Sequence, residues 1–137
     1  MKVFNSQICT SREQSERLLA LGLKPETADM YYEGRLEGEW PRIMPHKTEM
    51  DYFNLWDSII PAWSLHRLIE MMPNGLEMQD EEGETWEYLF HLSHVEVVYD
   101  VYLYERRFSE MANIYDNLIS CIEWLIKEGY FNKEYLV

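Results

Sequence analysis

Positive charge is what this chain has least of. Its 12 lysines and arginines face 25 aspartates and glutamates, a formal net charge of -13. A surface of that sign repels a phosphate backbone unless its few basic residues cluster, and here they are scattered through the sequence. Direct nucleic-acid binding is therefore not expected. Cysteine is also scarce: Cys9 and Cys121 are too few for a disulfide framework. Cys121 falls inside a helical pattern, where a free thiol behaves as a small buried hydrophobe. Neighbouring Glu123 supplies nothing of the electropositive setting that activates a nucleophilic cysteine.

Other absences exclude whole classes of chemistry. No stretch approaches the ~18 apolar residues of a membrane span, and "MKVFNSQICTSREQ" contains no apolar run able to act as a signal-peptide core. The expected compartment is the cytoplasm, with no membrane partner. The six glycines form neither GxGxxG nor GxxxxGK(S/T), and GxSxG, HExxH and CxxC are all missing. The run "EMQDEEGE" lacks the DxDxDG spacing of a calcium loop. In so acidic a chain some pair of carboxylates will always resemble a catalytic dyad. No catalytic residue, metal ligand or cofactor site is assigned.

What remains is rich in apolar and aromatic residues. They make up 47% and 15% of the 137 residues, enough to fill a core and too much for a disordered polymer. The length suits one domain over 1–137, which would bury roughly 68% of the surface exposed by the unfolded chain. Ten tyrosines and five tryptophans are many for this size, and some rings are expected at a surface or interface, where their polar edges stay wet. Acidic residues concentrate between 70 and 87: Glu70, Glu77, Asp80, Glu81, Glu82, Glu84 and Glu87, with no basic residue among them. Such a run reads as a solvated loop or as a docking face for a basic partner.

Helix signals are local and clear. In "TSREQSERLLALGL", Thr10 with Glu13 or Ser11 with Gln14 makes a capping box. Gly22 then closes a helix over about 11–21, with Leu18 and Leu23 placed to touch across it. "KPETAD" reads as a turn. Residues 30–60 are interrupted by Gly34, Gly38, Pro41 and Pro45 and are expected to be extended or irregular; His46, after a proline, reads as exposed. A second helix starts at the N-cap Ser64 and carries Leu65, Leu68, Ile69 and Met72 until Pro73 and Asn74-Gly75 stop it. The strongest pattern is a helix over about 110–128, capped by Ser109 and ended by Gly129. Its apolar stripe is Met111, Ile114, Tyr115, Leu118, Ile122 and Leu125, and Tyr130 is placed to close over Leu125 or Trp124.

Between 84 and 107 the apolar period is two. Trp86, Tyr88, Phe90 and Leu92 are even, whereas Val95, Val97, Tyr99, Val101 and Leu103 are odd. Joining an even face to an odd one requires a connection of even length. A hairpin of strands 84–92 and 95–107 is therefore expected, turning at Ser93-His94 or through a four-residue loop of the same register, with Phe90 opposite Val97 and Tyr88 opposite Tyr99. His91 then faces Glu96 on the outer side and His94 sits on the turn, which is no ligand set for a metal. That outer face is apolar for a solvated one: Leu89, Val98, Tyr102 and Tyr104 share it with His91, Glu96, Asp100 and Arg106. Either another layer of the chain covers it or a partner does. The far half, Tyr102 to Arg107, is expected to pair with an extended piece from 30–56.

The stretches "LLALGLKPETADM", "IPAWSLHRLIEMMP" and "IEWLIKEGYF" together resemble a group of short uncharacterised proteins from Bacteroides-type bacteria and their prophages or other mobile elements. The group shares a leucine helix followed by a Pro-Glu/Lys-Thr-Ala-Asp turn, a Pro-x-Trp-Ser-Leu helix start and a closing Trp-Leu-x-x-x-Gly-Tyr helix end. These motifs are caps, turns and core positions spread over most of the chain. The resemblance implies an intracellular accessory protein and carries over no catalytic residue.

The expected fold is α+β: a small antiparallel sheet of about three strands packed against a long C-terminal helix, with two shorter helices. The expected function is that of a non-enzymatic interaction or accessory protein of a phage or mobile element, binding another protein, a basic one in particular, or a second copy of itself. Leu89, Val98, Tyr102, Tyr104, Glu81, Glu82 and Glu84 are the candidate interaction surface. One version is nucleic-acid mimicry, with spaced carboxylates occupying a basic groove. The alternative is an enzyme or small-ligand binder whose pocket is lined by Trp40, Trp56, Trp63 and nearby tyrosines, with His46, His66 or Asp57 as its polar groups.

Overall fold

A computed structural model describes residues 6–33 and 40–137; Gly34 and Gly38 lie outside these. The chain is α+β and divides into two compact units, Met1–Glu70 with Glu134–Val137, and Met71–Lys133. The described residues form α1 (Arg12–Ala20), β1 (Met30–Glu33), β2 (Arg42–Ile43), α2 (Lys47–Tyr52), β3 (Ile59–Ala62), α3 (Leu65–Met71), β4 (Gly75–Gln79), β5 (Thr85–Ser93), β6 (Glu96–Val101), β7 (Tyr104–Phe108) and α4 (Ile114–Glu128). Every strand pairing is antiparallel, in two sheets of order β2-β1-β3 and β4-β5-β6-β7. The expectation of one sheet of about three strands is corrected. Residues 30–62 supply a sheet of their own, and the segment 95–107 breaks into two strands.

In the first unit the motifs of the sequence interlock. Ser11 Oγ accepts from the Gln14 N–H at 3.2 Å while the Gln14 side chain accepts from the Ser11 N–H at 2.9 Å, which starts α1 as a capping box. The helix ends before Gly22, and the Leu23 N–H returns to the Leu18 carbonyl at 3.2 Å, with both leucines fully buried. A 3-10 turn at Pro25–Thr27 follows. Its residues meet the start of α3: the Trp63 indole N–H donates to Thr27 Oγ1 at 3.0 Å, and the Arg67 Nε–H donates to the Thr27 carbonyl at 2.7 Å. Asp29 accepts from the Ser64 N–H at 2.8 Å and from the Ser64 hydroxyl. Ser64 Oγ caps α3 as expected, accepting from the Arg67 N–H at 3.1 Å. Thr10 joins them, donating its N–H to the Trp63 carbonyl at 2.8 Å and accepting the Trp63 N–H on its Oγ1 at 3.0 Å.

Of residues 30–60, expected to be extended or irregular, the described ones form strands, the short α2 and a 3-10 turn. β1 pairs with β3 from Met30 opposite Ala62 to Glu33 opposite Ile59. His46, exposed, starts the short α2 by accepting the Thr48 N–H on Nδ1 at 3.3 Å.

The second unit is a four-stranded meander with α4 against one face, where it packs on β6 and β7. Leu76, Tyr88, Val97, Tyr99 and Phe108 are buried on the sheet, and Tyr115, Leu118, Ile119, Ile122 and Leu125 on the helix. The helix begins later than the cap expected at Ser109. Asn113 is the N-cap, accepting from the Tyr115 N–H at 2.8 Å. Buried Asn117 holds the preceding residues out of the helix by bonding the Met111 carbonyl at 3.0 Å and the Met111 N–H at 3.1 Å. Met111, 50% exposed, therefore leaves the stripe. The far end is as expected: Gly129 takes φ +80°, the Tyr130 N–H reaches the Leu125 carbonyl at 2.8 Å, and the Tyr130 and Trp124 rings lie 5.8 Å apart. This is a Schellman-type ending.

The 84–101 hairpin has the expected parity but a register two residues further on. Phe90 faces Tyr99, His91 faces Val98 and Ser93 faces Glu96, so the turn is His94-Val95. The shift brings the Phe90 and Tyr99 rings to 5.3 Å, exchanging the expected Tyr88–Tyr99 pair for this one. His94 takes φ +52°, a region that histidine enters more readily than most residues. After Val101 the chain turns again at Tyr102-Leu103, and β7 returns beside β6, with Val101 opposite Tyr104 and Val97 opposite Phe108. The pairing of Tyr102–Arg107 with residues 30–56 is thereby overturned.

Candidate functional site

In a meander, alternate turns fall at the same end of the sheet. The β4–β5 turn, residues 80–84, therefore lies at the same end as the β6–β7 turn, Tyr102-Leu103. The first is built by Asp80. Its Oδ1 accepts the N–H groups of Glu82 and Glu84, each at 2.9 Å, and its Oδ2 accepts the Trp86 Nε1–H at 2.8 Å. Gly83, at φ +84°, allows the reversal and donates its N–H to the Asp80 carbonyl at 3.1 Å. These donors, the Trp86 indole foremost, hold the Asp80 carboxyl below its ordinary value. Asp80 is thus occupied in shaping the turn. Glu81, Glu82 and Glu84 are exposed, and no ion pair among the described residues engages them.

The Trp86 ring links this acidic turn to β7, lying 6.1 Å from the ring of Tyr104. Beside it stands the second turn, where Tyr102 is 87% and Leu103 83% exposed. Two-residue hairpin turns favour Asn, Asp and Gly, which tolerate positive φ. Tyr102 nevertheless takes φ +52°, a conformation that costs a bulky L-residue on the order of 1–2 kcal/mol. The positive φ closes the two-residue turn, as it does at His94, but it falls on a residue ill-suited to it, and neither large, unburied side chain helps the hairpin to form.

Five of the seven residues singled out in the sequence, Glu81, Glu82, Glu84, Tyr102 and Tyr104, gather at this end. The other two do not. Leu89, 49% exposed, lies mid-strand on the face away from α4. Val98 is corrected as a surface residue: it is 5% exposed, flanked by its cross-strand neighbours His91 and Arg107. Tyr104 and Arg106 are also moved. The even-length turn before β7 exchanges parity, so both lie on the helix-packed face, where the Arg106 guanidinium sits 4.6 Å from the Phe108 ring and 5.5 Å from that of Trp124.

On the opposite face His91 Nε2 approaches Asp100 Oδ1 at 2.8 Å, in place of the expected His91–Glu96 contact. Arg107 binds Glu96, and Glu105 at 3.0 Å. Glu77 and Glu87 stand directly opposite each other. The carboxylates of this face are thus interleaved with Leu89, His91, Val98 and Arg107.

The residues of the alternative pocket have separate roles. Trp63 is fully buried and its indole N–H is bonded to Thr27. Trp56 donates its indole N–H to Asp51 at 2.8 Å, and Trp40 is exposed. His66 is exposed, 3.5 Å from Glu70, and Asp57 is exposed. Both thiols are buried, and burial pushes Cys9 and Cys121 above the ordinary range, which keeps them protonated and unreactive at neutral pH. Among the described residues no three His, Cys, Asp or Glu side chains converge as a metal site, and no helix is long and apolar enough to cross a membrane.

Sequence reasoning missed the Tyr102-Leu103 turn. The available signal was a second change of parity, from the odd Val97, Tyr99 and Val101 to the even Tyr104 and Phe108, with no turn-forming residue between to announce it. No family model, curated protein or solved structure matches the chain.

Proposed function

We propose that the chain is a non-enzymatic, cytoplasmic interaction protein, an accessory of a phage or other mobile element, and that it contacts a partner protein through the sheet end carrying Glu81, Glu82, Glu84, Tyr102, Leu103 and Tyr104. One observation carries this reading: the strained, exposed Tyr102-Leu103 turn. The positive φ serves the turn, but a bulky residue strained by it and left exposed is retained where function uses it. An exposed tyrosine is the kind of anchor on which binding energy concentrates, with charged groups at the rim. The mobile-element context comes from the resemblance of the turn and cap motifs. The first two motifs interlock around Trp63 and the third ends α4, so all three serve as structural elements.

The test is affinity capture from the source cells with the wild-type chain and with Tyr102→Gly/Leu103→Asn. The reading expects a stoichiometric partner on the wild type that the variant does not retain, with unchanged circular dichroism. Equal capture by both, or by neither, contradicts it.

A further inference from the structure

We infer that the occupant of this sheet end is an arginine-bearing segment of a partner protein, laid over the Tyr102-Leu103 tip with its guanidinium between the tyrosine rings and the turn carboxylates. The inference rests on the interaction reading and adds the chemistry of the partner. The apolar tip calls for an apolar contact, and the charge beside it selects what accompanies that contact.

Glu81, Glu82 and Glu84 project from the neighbouring turn, and among the described residues no ion pair engages them. Asp80, the one carboxylate of that turn with a structural task, already accepts three N–H groups. The arginines of the sheet are committed elsewhere, Arg107 to Glu96 and Glu105 and Arg106 to the Phe108 and Trp124 rings.

Arginine suits the site better than lysine. Its planar guanidinium stacks on an aromatic face and forks to carboxylates at once, and it sheds water more readily than an ammonium group. An acidic partner or a phosphate would meet three carboxylates and the net charge of -13.

The probe is a labelled peptide of alternating arginine and leucine, with a glutamate-leucine peptide as its control, titrated by fluorescence anisotropy against the full chain. The wild type is expected to bind the arginine peptide and to lose affinity as salt rises from about 50 to about 300 mM. Glu81→Gln/Glu82→Gln should weaken binding by about tenfold, and Tyr102→Gly/Leu103→Asn by a similar factor. Glu110→Gln/Glu128→Gln, which removes the same charge elsewhere in the unit, should leave it unchanged. Equal weakening by the two glutamine pairs would reduce the effect to net charge and overturn the proposal, as would failure to prefer the arginine peptide. Should the cellular partner be lost by the tip variant yet held at full yield by Glu81→Gln/Glu82→Gln, the interaction reading stands and the arginine assignment falls.

Discussion

The Trp63 indole N–H donates to Thr27 Oγ1 at 3.0 Å, inside a core where Trp63 has no exposed surface. Two motifs separated by 36 positions therefore act as one structural element, and each explains the residue types of the other. Thr27→Val keeps the shape and removes the acceptor. A buried donor left unsatisfied costs about 1–3 kcal/mol, so the urea midpoint followed by tryptophan fluorescence should fall accordingly; an unchanged midpoint would mean that the bond contributes nothing.

Helix α4 offers a paired test. Leu118 and Leu125 are fully buried, and truncation of either to alanine should cost about 2–5 kcal/mol. Met111 lies outside the helix and is half exposed, so Met111→Ala should stay within about 0.5 kcal/mol of the wild type. Comparable losses at Met111 and Leu118 would restore the earlier helix start.

Burial raises both Cys121 and Tyr99 above their ordinary values of 9.0 and 10.0. A raised folded value means that the protonated group is favoured by folding. Its contribution is complete below the unfolded value and is lost as pH rises towards the folded one. Stability should therefore decline above about pH 9, where unfolded cysteine begins to ionise. Cys121→Ala should flatten the first part of that decline, leaving the contribution of Cys9, which burial also raises, and the part that begins near the ordinary value for tyrosine. Parallel curves of denaturation midpoint against pH for wild type and variant would rule out this origin.

Asp80 makes the opposite pH statement. Its carboxyl is held below the ordinary 3.8 by the Trp86 indole and the backbone amides of its own turn. Its contribution is present above that value and is lost as pH falls through the depressed one. At neutral pH, Asp80→Ala should speed hydrogen exchange at the amides of Glu82 and Glu84, which it accepts. Exchange at the wild-type rate would show the turn to be held by Gly83 and the strand ladder alone.

Much of the fold is legible because its signals are local. Ser11 with Gln14, Ser64, Gly22 and Gly129 each act within one helical turn, and the structure places all four as the sequence implies. Asn113 displaces Ser109 as a cap because Asn117, four residues further on, pins Met111 outside the helix. Asn117 also donates to the Val95 carbonyl at 2.7 Å, a tertiary bond with no local signature. The hairpin register was likewise readable in parity but not in offset, since either offset gives Tyr99 an aromatic partner, Tyr88 in one and Phe90 in the other. At the candidate site, the carboxylates of 81–84 and the two tyrosines were visible as residue types. What brings them together is the turn at Tyr102-Leu103, and turn chemistry could not announce it because these are the wrong residues for a turn.

The most direct measurement is the thermal melting of Tyr102→Gly/Leu103→Asn. If the turn is retained for contact at the expense of folding, giving position 102, at φ +52°, a residue that accepts positive φ and position 103 a polar turn residue should leave the melting temperature unchanged or raise it, by up to about 2 kcal/mol of stability. A fall of roughly 3 °C or more, about 1 kcal/mol at this size, would show that Tyr102 and Leu103 serve the fold itself, and would contradict the account.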